Sequence, residues 1–128
     1  MKILGIDYGR KKIGLAVSGG KLAEPLKVIR YRDIKILSEK LQKIVKENNI
    51  EKIVVGVSEG EMGEESKKFA LAISHQPLAI VETFDETLST HEAKKLSLEA
   101  GISRGKRRGL EDAFAAAVML QSYLDSYV

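Results

Sequence analysis

The sequence predicts an α/β domain built on a mixed five-stranded sheet with helices on both faces. Three observations lead there. Three short apolar segments (2–7, 10–18 and 24–31) come first, separated only by turns, so they should pair antiparallel. Strand-like and helix-like segments then alternate, which requires parallel pairing. Lys52–Val57 is almost wholly apolar, as a strand covered on both faces must be.

The elements follow in order. Lys2–Asp7 reads as a buried strand. In 10–18, Ile13, Leu15 and Val17 alternate with Lys12, Gly14 and Ala16, and the Tyr8-Gly9 connection suits a hairpin. Gly19-Gly20 is a turn signal. Leu26, Val28 and Ile29 mark a third strand, with Pro25 at its start or on an edge. Asp33 is placed to cap a helix carrying Ile34, Leu37, Leu41, Ile44 and Val45 at three- and four-residue steps, which Asn48-Asn49 should end. After Lys52–Val57, residues 58–63 read as a polar glycine-containing loop, and a helix is expected from Glu65 to Ser74, closed by Pro77. Leu78–Phe84 reads as the fifth strand. Ser89-Thr90-His91-Glu92 fits a capping box, so a helix should run from there to about Ala100 and stop at Gly101. Residues 102–109 read as a basic loop, and 110–127 as an alanine-rich final helix.

The chain has 128 residues, 44% of them hydrophobic and 30% charged, which suits a single globular domain over 1–128. There is no cysteine, so disulfides, thiolate metal sites and thiol nucleophiles are excluded. No apolar run approaches the ~20 residues of a membrane span. The start resembles a strand rather than a signal peptide, and a cytoplasmic protein without a membrane partner is expected. The net charge of +3 tilts towards an acidic partner.

Carboxylates gather at element ends. Asp7 interrupts an otherwise apolar strand. Asp85 and Glu86 close the fifth strand. Glu111 and Asp112 open the last helix. In an α/β sheet, sites collect at the carboxyl ends of the parallel strands. Clustered acids repel unless they are protonated or neutralised. Hard cations, Mg²⁺ or Mn²⁺, take oxygen ligands, and two held about 4 Å apart can cleave a phosphodiester. Spacing alone does not separate Asp112 from Glu111.

Asp7-Tyr8-Gly9-Arg10-Lys11-Lys12-Ile13-Gly14-Leu15-Ala16-Val17-Ser18 resembles the N-terminal signature of the YqgF/RuvX family. Val54–Val57, the block from Asp85 to Ala93 and the block from Glu111 to Ala117 resemble its later motifs, in order and over essentially the whole chain. The resemblance implies an RNase H-like fold of the Holliday-junction-resolvase type. It implies a two-metal endonuclease that matures the 5′ end of pre-16S rRNA or resolves branched DNA. The family's acidic positions fall on Asp7, on Asp85-Glu86 and on Asp112. The expected metal ligands are Asp7, Asp85 and Asp112, with Glu86 as a further ligand or proton acceptor. The sequence departs from the family pattern at Thr87, where Arg is usual, and at Val57-Ser58, where Leu-Pro is usual.

Two basic groups flank these acids: Arg10, Lys11 and Lys12 after Asp7, and Arg104, Lys106, Arg107 and Arg108 before Asp112. Both suit phosphate backbones led to a metal site. Tyr8 is expected to pack at the hairpin and His91 to sit on a helix surface. The expected partner is nucleic acid, either pre-rRNA (with the small-subunit precursor) or branched DNA. The protein is expected to act as a monomer or a homodimer, and junction cutting needs the dimer. Two other readings remain. Asp-x-Gly before a strand also opens the phosphate hairpin of sugar kinases, which use two such domains. A non-catalytic nucleic-acid-binding module would keep the fold without the chemistry.

Overall fold

Period-two alternation decides which way each strand faces, and the two faces of the sheet carry different helices. The computed structural model describes residues 1–75, 79–86 and 110–126. Its strands are β1 (Ile3–Asp7), β2 (Lys12–Ser18), β3 (Ala23–Arg30), β4 (Lys52–Val57) and β5 (Ile80–Asp85). They lie in the order β3-β2-β1-β4-β5. β1–β2 and β2–β3 are antiparallel, and β1–β4 and β4–β5 are parallel. This is the mixed five-stranded sheet expected from the sequence.

One face packs on α1 (Ile34–Glu47) and α2 (Gly60–Ser74). Leu4, Ile6, Ile13, Leu15, Ile53 and Val55 meet Leu37, Leu41, Phe69 and Ile73 there. The opposite face packs on α3 (Glu111–Asp125) through Ile3, Ala16, Val54 and Phe84 against Ala116, Met119, Leu120 and Tyr123. Glycines let α3 lie close to the sheet. A Cβ at Gly5 would stand 3.0 Å from Leu120 Cβ, and one at Gly14 would stand 1.8 Å from the Asp112 carbonyl oxygen.

Local signals work as the residue chemistry demands. Asp33 Oδ1 accepts from Lys35 N at 2.8 Å and caps α1. Asn49 takes the left-handed conformation (φ 54°) just past its end. Pro25 sits on β3, the outer strand, beside a register shift at Leu15/Ala16.

The one marked correction is α2, which begins at Gly60 rather than Glu65. Gly60 and Gly63 read as loop residues. Gly63 instead answers a packing need, since a Cβ there would meet the Ser58 carbonyl oxygen at 1.8 Å. β5 also runs one residue past Phe84, to Asp85. Pro77, the capping box at 89–92 and Gly101 lie outside the described residues. No helix among the described residues is long and apolar enough to cross a membrane.

Candidate functional site

Asp7 ends β1 at the centre of the sheet, on the face that receives α3, because Leu4 and Ile6 take the other face. Its neighbour across β2 is Gly14. α3 sets its first turn directly on that glycine, and this delivers Asp112 beside Asp7. Farther along, Gln121 fixes the helix to the β2–β3 hairpin. Its Oε1 accepts from Ala23 N at 2.9 Å, and its Nε2 donates to the Lys21 carbonyl at 3.1 Å. At the opposite rim, Tyr123 donates to Glu82 at 2.9 Å, and Lys52 Nζ stands 3.2 Å from Glu82.

Glu86 is the third acid. Phe84 faces α3, so two residues on Glu86 returns to the same side. Its carboxylate lies over Gly56 of β4, where a Cβ would stand 2.3 Å from Oε1. From there it hydrogen-bonds Asp7. Asp85, between them in sequence, takes the opposite face. It lines an open cavity of about 350 Å³ with Ser58, Glu59, Glu64 and Lys67. Asp7, Glu86 and Asp112 are therefore brought together, and Asp85 is not. Glu111 is exposed in the first turn of α3.

The electrostatics match this crowding. Burial first, then the charges of Glu86 and Asp112, push the Asp7 carboxyl up from 3.8 to about 7. Burial also raises Glu86, while its hydrogen bond with Asp7 works the other way. The two carboxyls titrate as a coupled pair, and the hydrogen bond between them requires one of the two to keep its proton. Asp112 finds a different counter-charge, since Lys12 Nζ stands 2.9 Å from its Oδ2.

Among the described residues, no three acidic or histidine side chains already surround a common ion position. The donor set is nonetheless all oxygen, crowded and proton-retaining, which suits a hard divalent cation. Asp7, Glu86 and Asp112 are the residues that would hold it.

The basic residues after Asp7 separate. Arg10 Nε donates to both oxygens of Glu65 on α2, at 3.0 and 2.9 Å. Lys12 serves Asp112, and Lys11 is exposed. Tyr8 stacks on Phe69 with ring centroids 4.8 Å apart, a packing role. Thr87, His91, Arg104, Lys106, Arg107 and Arg108 lie outside the described residues.

The roles of Gly14 and Gly56 were missed in the sequence, although period-two counting along each strand would have put both on the acid face.

A family model described as RuvX, Holliday junction resolvase, matches residues 1–126. The chain belongs to the RuvX family. It is 40% identical to a protein of Oceanobacillus iheyensis and 40% identical to one of Desulforamulus reducens. Each match covers 98% of both chains, and each relative is named "Putative pre-16S rRNA nuclease". Among solved structures, this RuvX-family chain resembles Thermus thermophilus RuvC in complex with a Holliday junction substrate. That match has a TM-score of 0.68 and 17% identity, over 100% of this chain and 97% of that one. The fowlpox virus Holliday junction resolvase matches with a TM-score of 0.62 and 13% identity, over 100% of both. At these identities the likeness establishes the RuvC-type, RNase H-like fold of the RuvX chain.

Proposed function

We propose that the chain is a divalent-cation-dependent endonuclease of structured RNA that trims the 5′ end of the 16S rRNA precursor. One observation carries the reading. Three carboxylates from β1, the end of β5 and the start of α3 meet at one rim, where Asp7 keeps a proton up to about pH 7. The names of the full-length relatives support rRNA as substrate.

Divalent cations bound there would supply an activated water and stabilise the leaving oxygen of the phosphodiester. The chain's own residues prepare for that. The Asp7–Glu86 pair releases its proton to solvent when a cation binds, which leaves both carboxylates ionised to hold it. Asp112 turns from Lys12 towards the centre, and the freed ammonium then faces the entering phosphate. Glu86 thus fills the ligand role expected of Asp85. Arg10 stays tied to Glu65, so it steadies the hairpin beside Asp7 and contributes less to substrate than its sequence position implies.

The test compares wild type with Asp7→Asn on a pre-16S rRNA fragment and on branched DNA, with Mg²⁺ or Mn²⁺. Cleavage of the RNA by wild type alone is expected, and equal cleavage by both proteins would overturn the proposal. The second reading, Holliday junction resolution, is favoured by the family description and the RuvC-type fold. It requires paired cuts in the branched DNA and a dimer by light scattering.

A further inference from the structure

Away from the acids, the described residues carry a concentrated positive surface where β3 meets α1. Residues 27–47 hold seven basic and three acidic side chains, an excess of four on a chain whose net charge is +3. The rest of the chain is therefore slightly acidic. The fold gathers this excess around a groove of about 390 Å³ between the sheet edge and the helix, lined by Lys27, Arg30, Lys40 and Lys43. All four are exposed. Glu47, the one acid in the lining, already faces Lys43 at 3.8 Å. Lys27, Arg30 and Lys40 have no ion pair among the described residues. Lys40 and Lys43, three apart on α1, share a helix face on which like charges disfavour the helix. This arrangement does little for folding and suits a polyanion.

The groove opens on the α1 face and the acids lie on the α3 face, with the edge strand β3 between them. Arg30 is the cross-strand partner of Lys12, which puts both side chains on one face. Lys12 in turn touches Asp112. β3 lies two strand spacings from β1, about 10 Å. A nucleic-acid strand that also rounds the edge at β3 to reach the α1 face must span more than the roughly three phosphates this spacing alone would need at ~3.4 Å each. No aromatic side chain lines the groove, so the contact reads charge rather than base identity.

We propose that the β3–α1 groove is a second phosphate-backbone site, which holds the nucleic-acid strand where it rounds the β3 edge of the sheet, away from the bond cut at the acids. This rests on the nuclease reading, and the experiment separates the two. The triple variant Lys27→Gln/Lys40→Gln/Lys43→Gln is compared with wild type for binding of a labelled RNA hairpin carrying a single-stranded extension. Salt is varied, and Asp7→Asn is used in both backgrounds so that no strand is cut. Lys2→Gln/Lys21→Gln/Lys68→Gln, three exposed residues outside the groove, controls for loss of charge alone. The groove triple should weaken binding about tenfold and flatten the slope of log K against log salt by about two. The control should move neither by as much, and circular dichroism should show every variant folded. A triple variant that binds like the control, or like wild type, overturns the groove and leaves the nuclease reading standing. A wild-type protein that neither binds nor cuts RNA overturns both.

Discussion

Lys12 Nζ stands 2.9 Å from Asp112 Oδ2, so the chain carries its own cation at the edge of the acid cluster. The pair joins β2 to the first turn of α3. It also competes for the carboxylate that a divalent ion would use. Lys12→Met should therefore tighten Mn²⁺ binding. The pair is part-exposed (side chains 43% and 32%), which limits its strength to about 1 kcal/mol or less. The expected gain is about two- to fivefold in Kd, read by calorimetry without nucleic acid. Weaker Mn²⁺ binding in the variant would show that Lys12 orders Asp112 for the ion and does not compete with it.

Asp7 makes a pH-dependent contribution whose sign follows from its environment. Its folded pKa of about 7 lies above the ordinary carboxylate value of 3.8. Between those values the folded chain keeps a proton that the unfolded chain has lost. Stability from this group is therefore full below about pH 4 and falls as pH rises towards 7. In chelator-treated buffer at pH 8, Asp7→Asn should be more stable than wild type, on the order of 1–3 kcal/mol. The gain should vanish near pH 4. Thermal melts across that range check it, and a constant difference at all pH values would locate the effect elsewhere.

Asp85 and Glu86 should separate in an activity assay. Glu86→Gln removes a carboxylate proposed to hold the cation and should lower cleavage by at least about a hundredfold, the scale of lost charge stabilisation by a bound metal. Asp85→Asn alters an exposed side chain on the other face and should keep activity within about threefold. The reverse ranking in a single-turnover assay would return Asp85 to the site.

Two glycine-to-alanine changes test how the site is spaced. At Gly56 the new methyl meets the tip of Glu86 and Met119 Cγ, at 2.3 and 2.8 Å. Flexible side chains can move, so the stability cost should be about 1–2 kcal/mol, but Glu86 leaves Asp7 and cleavage should drop. At Gly14 the methyl meets the backbone of Asp112, 1.8 Å from its carbonyl oxygen. Backbone cannot swing aside, and the cost should reach about 3 kcal/mol or more. Denaturant melts of both variants would show the order, and equal costs would mean that α3 shifts freely over β2.

The strands were legible because their apolar runs are short and bounded by turns, and Lys52–Val57 was expected with the bounds it has. The start of α2 was not legible. A glycine that breaks an exposed helix looks the same in sequence as one that lets a helix pass close to a carbonyl, and Gly63 is the second kind. At the site, the three acidic regions could be named from the sequence. The choice within Asp85-Glu86 turned on which face of β5 meets α3, a tertiary fact that Phe84 reveals only once its packing is known. The partners of Arg10 and Lys12 were hidden for a similar reason. Glu65 and Asp112 lie far along the chain, and only the docking of α2 and α3 brings them near.

The bond between the Gln121 side chain and the β2–β3 hairpin has a consequence in time. Asp112 leaves the ribosome about a hundred residues after Asp7, on a helix held to the sheet by that bond. A nascent chain that has formed β1 and β2 but not yet docked α3 holds one acid without its partners. On the proposed nuclease function it would be inert towards any RNA close by, and cutting ability would arrive only when α3 closes on the sheet.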